Sequence, residues 1–265
     1  MIYDCFTFYD ETLLLEIRLN ELYQYVDKFV LVESTHSFSG KSKPLYYDQV
    51  KNNEIFAPFR DKIIHIIFEM YPKPSRWDNE DDQRNKIKDG LTQAKRDDII
   101  IVSDIDEIIS PQVFPLIKQV EVPGRLEMKN YYYYFNCRSN HNWCYPAFCR
   151  FYDYSTARFL RNSDYHQVII TNAGWHFGYL MSPERIALKL ETFSHSEFDT
   201  DFYKNTDRIK SCMDSNIDLF SRDGIEYFIE PLDAPKYVLN NMYKYKEFIK
   251  SPDTALHQSA HYLSI

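Results

Sequence analysis

The chain has 265 residues, 44% of them hydrophobic and 26% charged, which suits one large α/β domain. Its net charge of −8 excludes a nonspecific nucleic-acid binder, which needs a basic face. A phosphate-bearing small molecule stays open, because a bound cation and a few local Arg or Lys can carry its charge.

The elements alternate through the first half. Ile2 to Phe8 reads as a strand, and a helix follows from about Thr12, with Leu15, Leu19, Leu22 and Val26 at helical spacing. Lys28 to Glu33 is a second strand ending in a carboxylate, then a polar loop runs from Ser34 to Lys43. Lys62 to Phe68 is a third strand; Tyr71-Pro-Lys-Pro74 interrupts, and a charged helix is expected from Trp77 to Ala94. The fourth strand lies within Asp98 to Asp104. This order predicts right-handed crossovers and a mostly parallel, doubly wound sheet.

The second half is mixed. Arg125 to Phe135 and Ala147 to Tyr152 read as strands joined by a polar Asn, His and Trp loop, and Gly174 to Tyr179 is another. Ser182-Pro183-Glu184 opens a helix with Ile186, Leu190 and Phe193 on one face. A further helix is expected over Asp201 to Met213. No internal repeat or linker is visible, so one domain is expected over 1–265. It divides into a nucleotide-binding half (1–120), a catalytic half (121–235) and a C-terminal extension (236–265). The 22 Tyr and 19 Phe suit sugar or base stacking, but composition alone favours core packing. The five cysteines, at 5, 137, 144, 149 and 212, show no paired zinc spacing and no disulfide framework. A reducing, cytoplasmic setting is expected, and neither a signal peptide nor a membrane anchor is visible.

The chemistry concentrates in Asp98-Ile-Ile-Ile-Val-Ser-Asp104-Ile-Asp106-Glu107-Ile108. Residues i and i+2 of an extended chain face the same way, so Asp104 and Asp106 can converge on one point. The apolar run Ile99 to Val102 fits a strand buried on both faces, and carboxylates at its end stand where open α/β sheets bind ligands. Such a group makes a hard oxygen site for Mg²⁺ or Mn²⁺ with a phosphate completing the shell. The alternative is simple capping, a task that Ser110-Pro111 is expected to take.

In order along the chain, several segments together resemble glycosyltransferase family 17. They are Glu16-Ile-Arg-Leu-Asn-Glu-Leu22, Phe29-Val-Leu-Val-Glu-Ser34, Phe38-Ser-Gly40, Lys43-Pro44, Arg84-Asn85, Ser103 to Ile108, Ala173-Gly-Trp-His-Phe177 and Lys189-Leu190. The resemblance implies a GT-A fold, a UDP-sugar donor with UDP-GlcNAc foremost, a glycan acceptor and transfer with inversion. Lacking the anchor and stem of animal members, the chain looks more like a stand-alone bacterial or viral one.

On that reading Asp106 binds the metal, Asp104 contacts the ribose or a metal-bound water, and His176 is a third ligand. Glu107 either supports these or caps. Glu33, Arg84, Lys43 and Trp175 are the donor-binding candidates: Glu33 for uridine or ribose hydroxyls, Arg84 for the diphosphate, Lys43 (with Lys41) for phosphate, Trp175 for a sugar face. For Arg84 the alternative is a solvated pair with Glu80. Inversion needs a base, and Glu197, with His195 as base or orienting group, leads Glu184 and Asp153. Two other readings stand beside this one. A haloacid-dehalogenase-like phosphohydrolase would use Asp104 as nucleophile, though its motif normally sits on the first strand. A non-catalytic nucleotide-sugar-binding module would keep the pocket without turnover.

Overall fold

The computed structural model describes residues 1–162, 164 and 166–251. In the first half, β1 (Ile2–Phe8), α1 (Thr12–Leu22), β2 (Lys28–Ser34), α2 (Tyr46–Val50), β3 (Ile63–Phe68), α3 (Arg76–Asn85) and β4 (Ile99–Asp104) alternate as expected. The four strands pair in parallel in the order β4-β1-β2-β3. The remainder comprises β5 (Glu107–Ile109), α4 (Phe114–Ile117), β6 (Gly124–Leu126), β7 (Lys129–Tyr132), β8 (Cys137–Ser139), β9 (Ala147–Arg150), α5 (Ala157–Asn162) and β10 (Val168–Ile170). It continues with β11 (Gly174–Gly178), α6 (Pro183–Thr192), α7 (Asp201–Lys204), α8 (Thr206–Ser215), β12 (Tyr227–Ile229) and α9 (Lys236–Asn240).

Among the described residues a mostly parallel sheet runs β10-β6-β9-β4-β1-β2-β3, with β9 antiparallel to both neighbours. A second sheet runs β12-β8-β7-β11-β5. Alternation places β1 and β4 in two cores. Ile2, Phe6, Phe8, Ile99 and Ile101 pack with α1 on one face, and Tyr3, Cys5, Ile100 and Val102 pack on the other. Helix α1 is buried nearly all round, and its Glu16 accepts from the Tyr237 hydroxyl at 2.6 Å and from Lys244 Nζ at 2.6 Å.

Four expectations are corrected. The charged helix ends at Asn85 and tightens into a 3₁₀ segment, Lys86–Leu91, that lays Gly90 on the sheet. A Cβ on Gly90 would stand 2.4 Å from Val30 Cγ1, so the close approach needs glycine. The strand expected over 125–135 is two strands in different sheets. β6 pairs with β9 and β10, and the chain then crosses to join β11 and β8 as β7. The helix expected over 201–213 is broken by Asn205, whose side chain accepts from the Arg208 amide at 2.8 Å and starts α8 afresh. Ser110 makes no side-chain cap; its amide donates to Ala173 O at 2.8 Å and ties the end of β5 to the start of β11. Ser182 does cap α6, accepting from the Arg185 amide. The extension expected over 236–265 lies outside the described residues beyond 251.

Candidate active site

β4 releases its acidic turn beside the end of β1, with Thr7 opposite Asp104 in the parallel register. The turn rests on Arg18, a fully buried residue of α1. Arg18 donates to both oxygens of Asp4 (2.8 and 2.5 Å), to Ser103 Oγ, and to the carbonyls of Asp104 (2.8 Å) and Glu107 (3.0 Å). A guanidinium has donors in a rigid fork, and here they hold both ends of the turn at once. Glu107 is also fully buried. It accepts from Trp143 Nε1 at 2.6 Å, from the Asp104 amide at 2.6 Å, and from Arg161 at 2.6 and 2.9 Å. Glu107 therefore braces the turn from inside.

The two aspartates have different surroundings. Asp104 lies between two arginines, accepting from Arg84 Nη2 and Arg161 Nη2 at 2.9 Å each. Burial opposes its ionisation, but Arg161 and Arg84 outweigh it and hold the carboxyl well below the usual range. Arg84 also reaches Glu80 at 2.6 Å, so it makes the surface-type pair and the site contact together. Asp106, only 7% exposed, faces Lys189 Nζ at 3.4 Å and His176 Nε2 at 3.9 Å.

His176 is set by its strand. β11 runs antiparallel to β5 and parallel to β7, placing His176 opposite Glu107 on one side and Asn130 on the other. The Phe177 amide donates to Asp106 O at 2.9 Å, joining the strand to the turn. Gly174, at φ +144°, permits this: a Cβ there would lie 2.1 Å from Ile108 O. His176 stacks on Trp143, ring centroids 4.0 Å apart, and its Nδ1 lies 2.8 Å from Asn130 Oδ1. Burial lowers its pKa despite neighbouring carboxylates.

These groups open into a cleft of about 760 Å³. Of the residues singled out from sequence, Arg84, Asp104, Asp106, His176, His195 and Glu197 line it. His195 Nδ1 and Glu197 Oε1 are 2.7 Å apart at the rim, where Glu197 is exposed. Burial would raise the Glu197 carboxyl, but the bond to His195 prevails and its pKa is lowered.

Glu33, Lys43 and Trp175 stand apart from the lining. Buried Glu33 accepts from the Tyr46 and Tyr47 amides, the latter at 3.2 Å, and pairs with Lys43 at 3.4 Å and His65 at 3.1 Å. It starts α2, and its Lys43 partner is thereby spent on structure. Trp175 packs on the main core and donates to Asp233 at 3.1 Å, on the opposite strand face from His176. Lys41 pairs with Glu191, and Glu184 accepts from Ser182 Oγ at 2.7 Å. Asp153 lies in a 3₁₀ turn after β9. Among the described residues no three His, Cys, Asp and Glu side chains are gathered to hold a metal, because Asp104 turns to guanidiniums. The set Asp104, Asp106 and His176 therefore reduces to a corner formed by Asp106 and His176.

Arg18, Asn130, Arg161 and Lys189 had no assigned role from sequence. Arg18 carried one signal: it sits three residues after Leu15 and four before Leu22, a charge inside the apolar stripe. Arg161 and Asn130 carried none.

Fold and cleft define an α/β protein with a deep, charged site at the carboxyl edge of a mostly parallel sheet, where such sheets bind ligands. The model of glycosyltransferase family 17 matches residues 1–251, and the chain belongs to that family. It is 25% identical to the β-1,4-mannosyl-glycoprotein 4-β-N-acetylglucosaminyltransferase of Rattus norvegicus over 90% of this chain and 52% of that one. The Homo sapiens protein of the same name is 25% identical over 90% and 53%. The chain thus spans about half the length of these curated relatives. Among solved structures, a 4-diphosphocytidyl-2C-methyl-D-erythritol synthase is similar over 64% of this chain and 88% of that one, at 14% identity and a TM-score of 0.38. No helix of the described residues is long and apolar enough to cross a membrane.

Proposed function

We propose that the protein is an inverting glycosyltransferase of the GT-A type, moving GlcNAc from UDP-GlcNAc to a hydroxyl of a glycan. Family membership and the names of the relatives support the reaction class. The observation that carries the donor reading is the acidic turn itself, set in a cleft whose walls supply Arg84, Arg158 and Arg161. Guanidinium forks match phosphate oxygens, so these walls suit a diphosphate.

Among the described residues Mn²⁺ or Mg²⁺ would find two side-chain donors here, Asp106 Oδ1 and His176 Nε2, 3.9 Å apart, and would depend on the diphosphate for the rest of its shell. When bound there, a divalent cation would stabilise the charge that grows on the departing diphosphate. The rest is work for the chain. Asp104, held ionised and fixed by two arginines, keeps an anchored acceptor for a ribose hydroxyl. Glu197, ionised and oriented by His195, is the proposed base, taking the acceptor proton as the hydroxyl attacks. The phosphohydrolase alternative fares worse, since a nucleophilic Asp104 would have to release both oxygens from guanidinium groups.

The test is UDP release from a panel of UDP-sugars with and without Mn²⁺, using glycan acceptors. Release confined to UDP-GlcNAc, requiring Mn²⁺ and rising with a mannose-containing acceptor, is expected. Tight UDP binding with no release on any donor would leave a binding module instead.

A further inference from the structure

One face of α3 forms a wall of the cleft: Trp77, Glu80, Asp81 and Arg84 all line it, at helical spacing. Arg84 is the residue that holds Asp104, and Trp77 precedes it by about two turns, or 10 Å along the axis. At that end the wall is aromatic. The Trp77 and His195 rings meet at 79° with centroids 4.5 Å apart, His195 lies 5.9 Å from Phe198, and Phe198 packs on Phe220 at 4.1 Å. All four rings line the cleft. The segment that carries His195 is pinned to α3 by other groups. Arg76 donates to the carbonyls of Glu191 and Phe193 at 3.3 Å each and to Asp199 at 2.7 Å, and Ser194 Oγ donates to Glu80. Trp77 is therefore not needed as an anchor, and its indole stays 47% exposed. Glu197, 2.7 Å from His195, stands exposed on the same segment.

An open indole beside a carboxylate suits a pyranose, whose C–H face lies on the ring while its hydroxyls donate to the carboxylate oxygens. Position along α3 decides which pyranose. In an inverting transfer the acceptor attacks from the side opposite the departing diphosphate, so the transferred sugar lies between the two. With the diphosphate at Arg84, that middle place falls beside Glu80 and Asp81, and Trp77 comes beyond it. We propose that Trp77, backed by His195 and Phe198, is the platform for the acceptor sugar, a pyranose of a neutral saccharide, and presents its attacking hydroxyl to Glu197. An anionic saccharide would meet the Glu197 carboxylate and be repelled. In the step itself the hydroxyl oxygen bonds the anomeric carbon, its proton passes to Glu197, and the bond to the diphosphate oxygen breaks with its electron pair. The platform deepens the transferase reading above and rests on it. Because the wall is set before any ligand arrives, little ordering is left to oppose binding.

The experiment compares the wild-type chain with Trp77→Ala, Trp77→Leu and Trp77→Phe. Thermal melts check that each is folded, and Leu carries the test if Ala is not. Mannotriose, chitotriose and the anionic trigalacturonate are titrated with and without UDP, read by saturation-transfer NMR. The platform predicts that the wild type binds a neutral trisaccharide in preference to trigalacturonate. Ala and Leu should weaken that binding about tenfold, and Phe, which keeps an aromatic face, should retain most of it. UDP affinity by calorimetry should match wild type in all three variants. A wild type that binds no trisaccharide or prefers the anionic one, or saccharide affinity unchanged in Ala and Leu, overturns the platform. A loss of UDP affinity in Ala and Leu with saccharide affinity intact also overturns it, because the indole then holds the nucleotide. A wild-type chain that binds a neutral saccharide through Trp77 yet releases UDP from no UDP-sugar defeats the transferase reading separately and leaves the saccharide platform standing.

Discussion

Arginines stand both below and above the acidic turn, and the two regions differ in what else can reach them. Below, Arg18 and Asp4 are sealed between strands and α1, and every contact they make is to the chain. Above, Arg84 and Arg161 hold Asp104 at the wall of an open cleft, with Asp104 itself 29% exposed. The same pair of chemical groups is therefore a sealed strut in one place and borders an open cleft, through the Asp104 carboxylate, in the other. Burial decides which: a sealed pair can only support, whereas a pair with a wet face can trade partners.

The largest effect should follow from breaking the lower pair. Arg18→Met leaves Asp4 charged and buried and frees two carbonyls of the turn, costing about 3–5 kcal/mol; urea denaturation measures it. In the upper region, Asp106→Ala should keep the fold and lower UDP release by about 10²–10³-fold. A folded Asp106→Ala with wild-type turnover would remove the turn from the chemistry. Arg84→Gln should weaken UDP binding about tenfold by calorimetry while shifting the melting temperature far less than Arg18→Met does.

Acid sharpens the contrast further. The Asp104 carboxyl has its pKa depressed in the folded chain, so its stabilisation is complete above the ordinary carboxylate value near about 4 and is lost as pH falls below it. Asp104→Asn should therefore flatten the acid limb of stability against pH, read from denaturation midpoints between pH 7 and pH 3. The smallest effect is reserved for a site remote from both regions. Asn205→Ala removes the cap of α8, costs about 1 kcal/mol and should leave UDP affinity untouched.

The legible parts of the molecule were those where one local rule decides. The runs of β1 and β4 are apolar because both faces are covered, and Ser182-Pro183 opens a helix by its own chemistry. Asp104 and His176 end or occupy strands, as read, but Asp106 lies in the turn between β4 and β5. The two aspartates therefore do not converge as they would in an extended chain: one meets Arg84 and Arg161, the other Lys189 and His176. The illegible parts depend on partners distant in sequence. Arg161 meets Glu107 across more than fifty residues, and Lys129–Tyr132 leaves the sheet of Gly124–Leu126 only because β11 is there to receive it. Glu33 and Trp175 sit on strands with site residues nearby, but a carboxylate claimed by the Tyr46 and Tyr47 amides, and an indole turned to the core, are consequences of packing.

Gly174 has a consequence for anyone who redesigns this protein. Two backbones touch where a methyl group would fit only by prying them apart, so the gap between imidazole and aspartate is gauged by an omitted atom. A single carbon added at this hinge-pin would detune the whole instrument without altering any residue that lines the cleft.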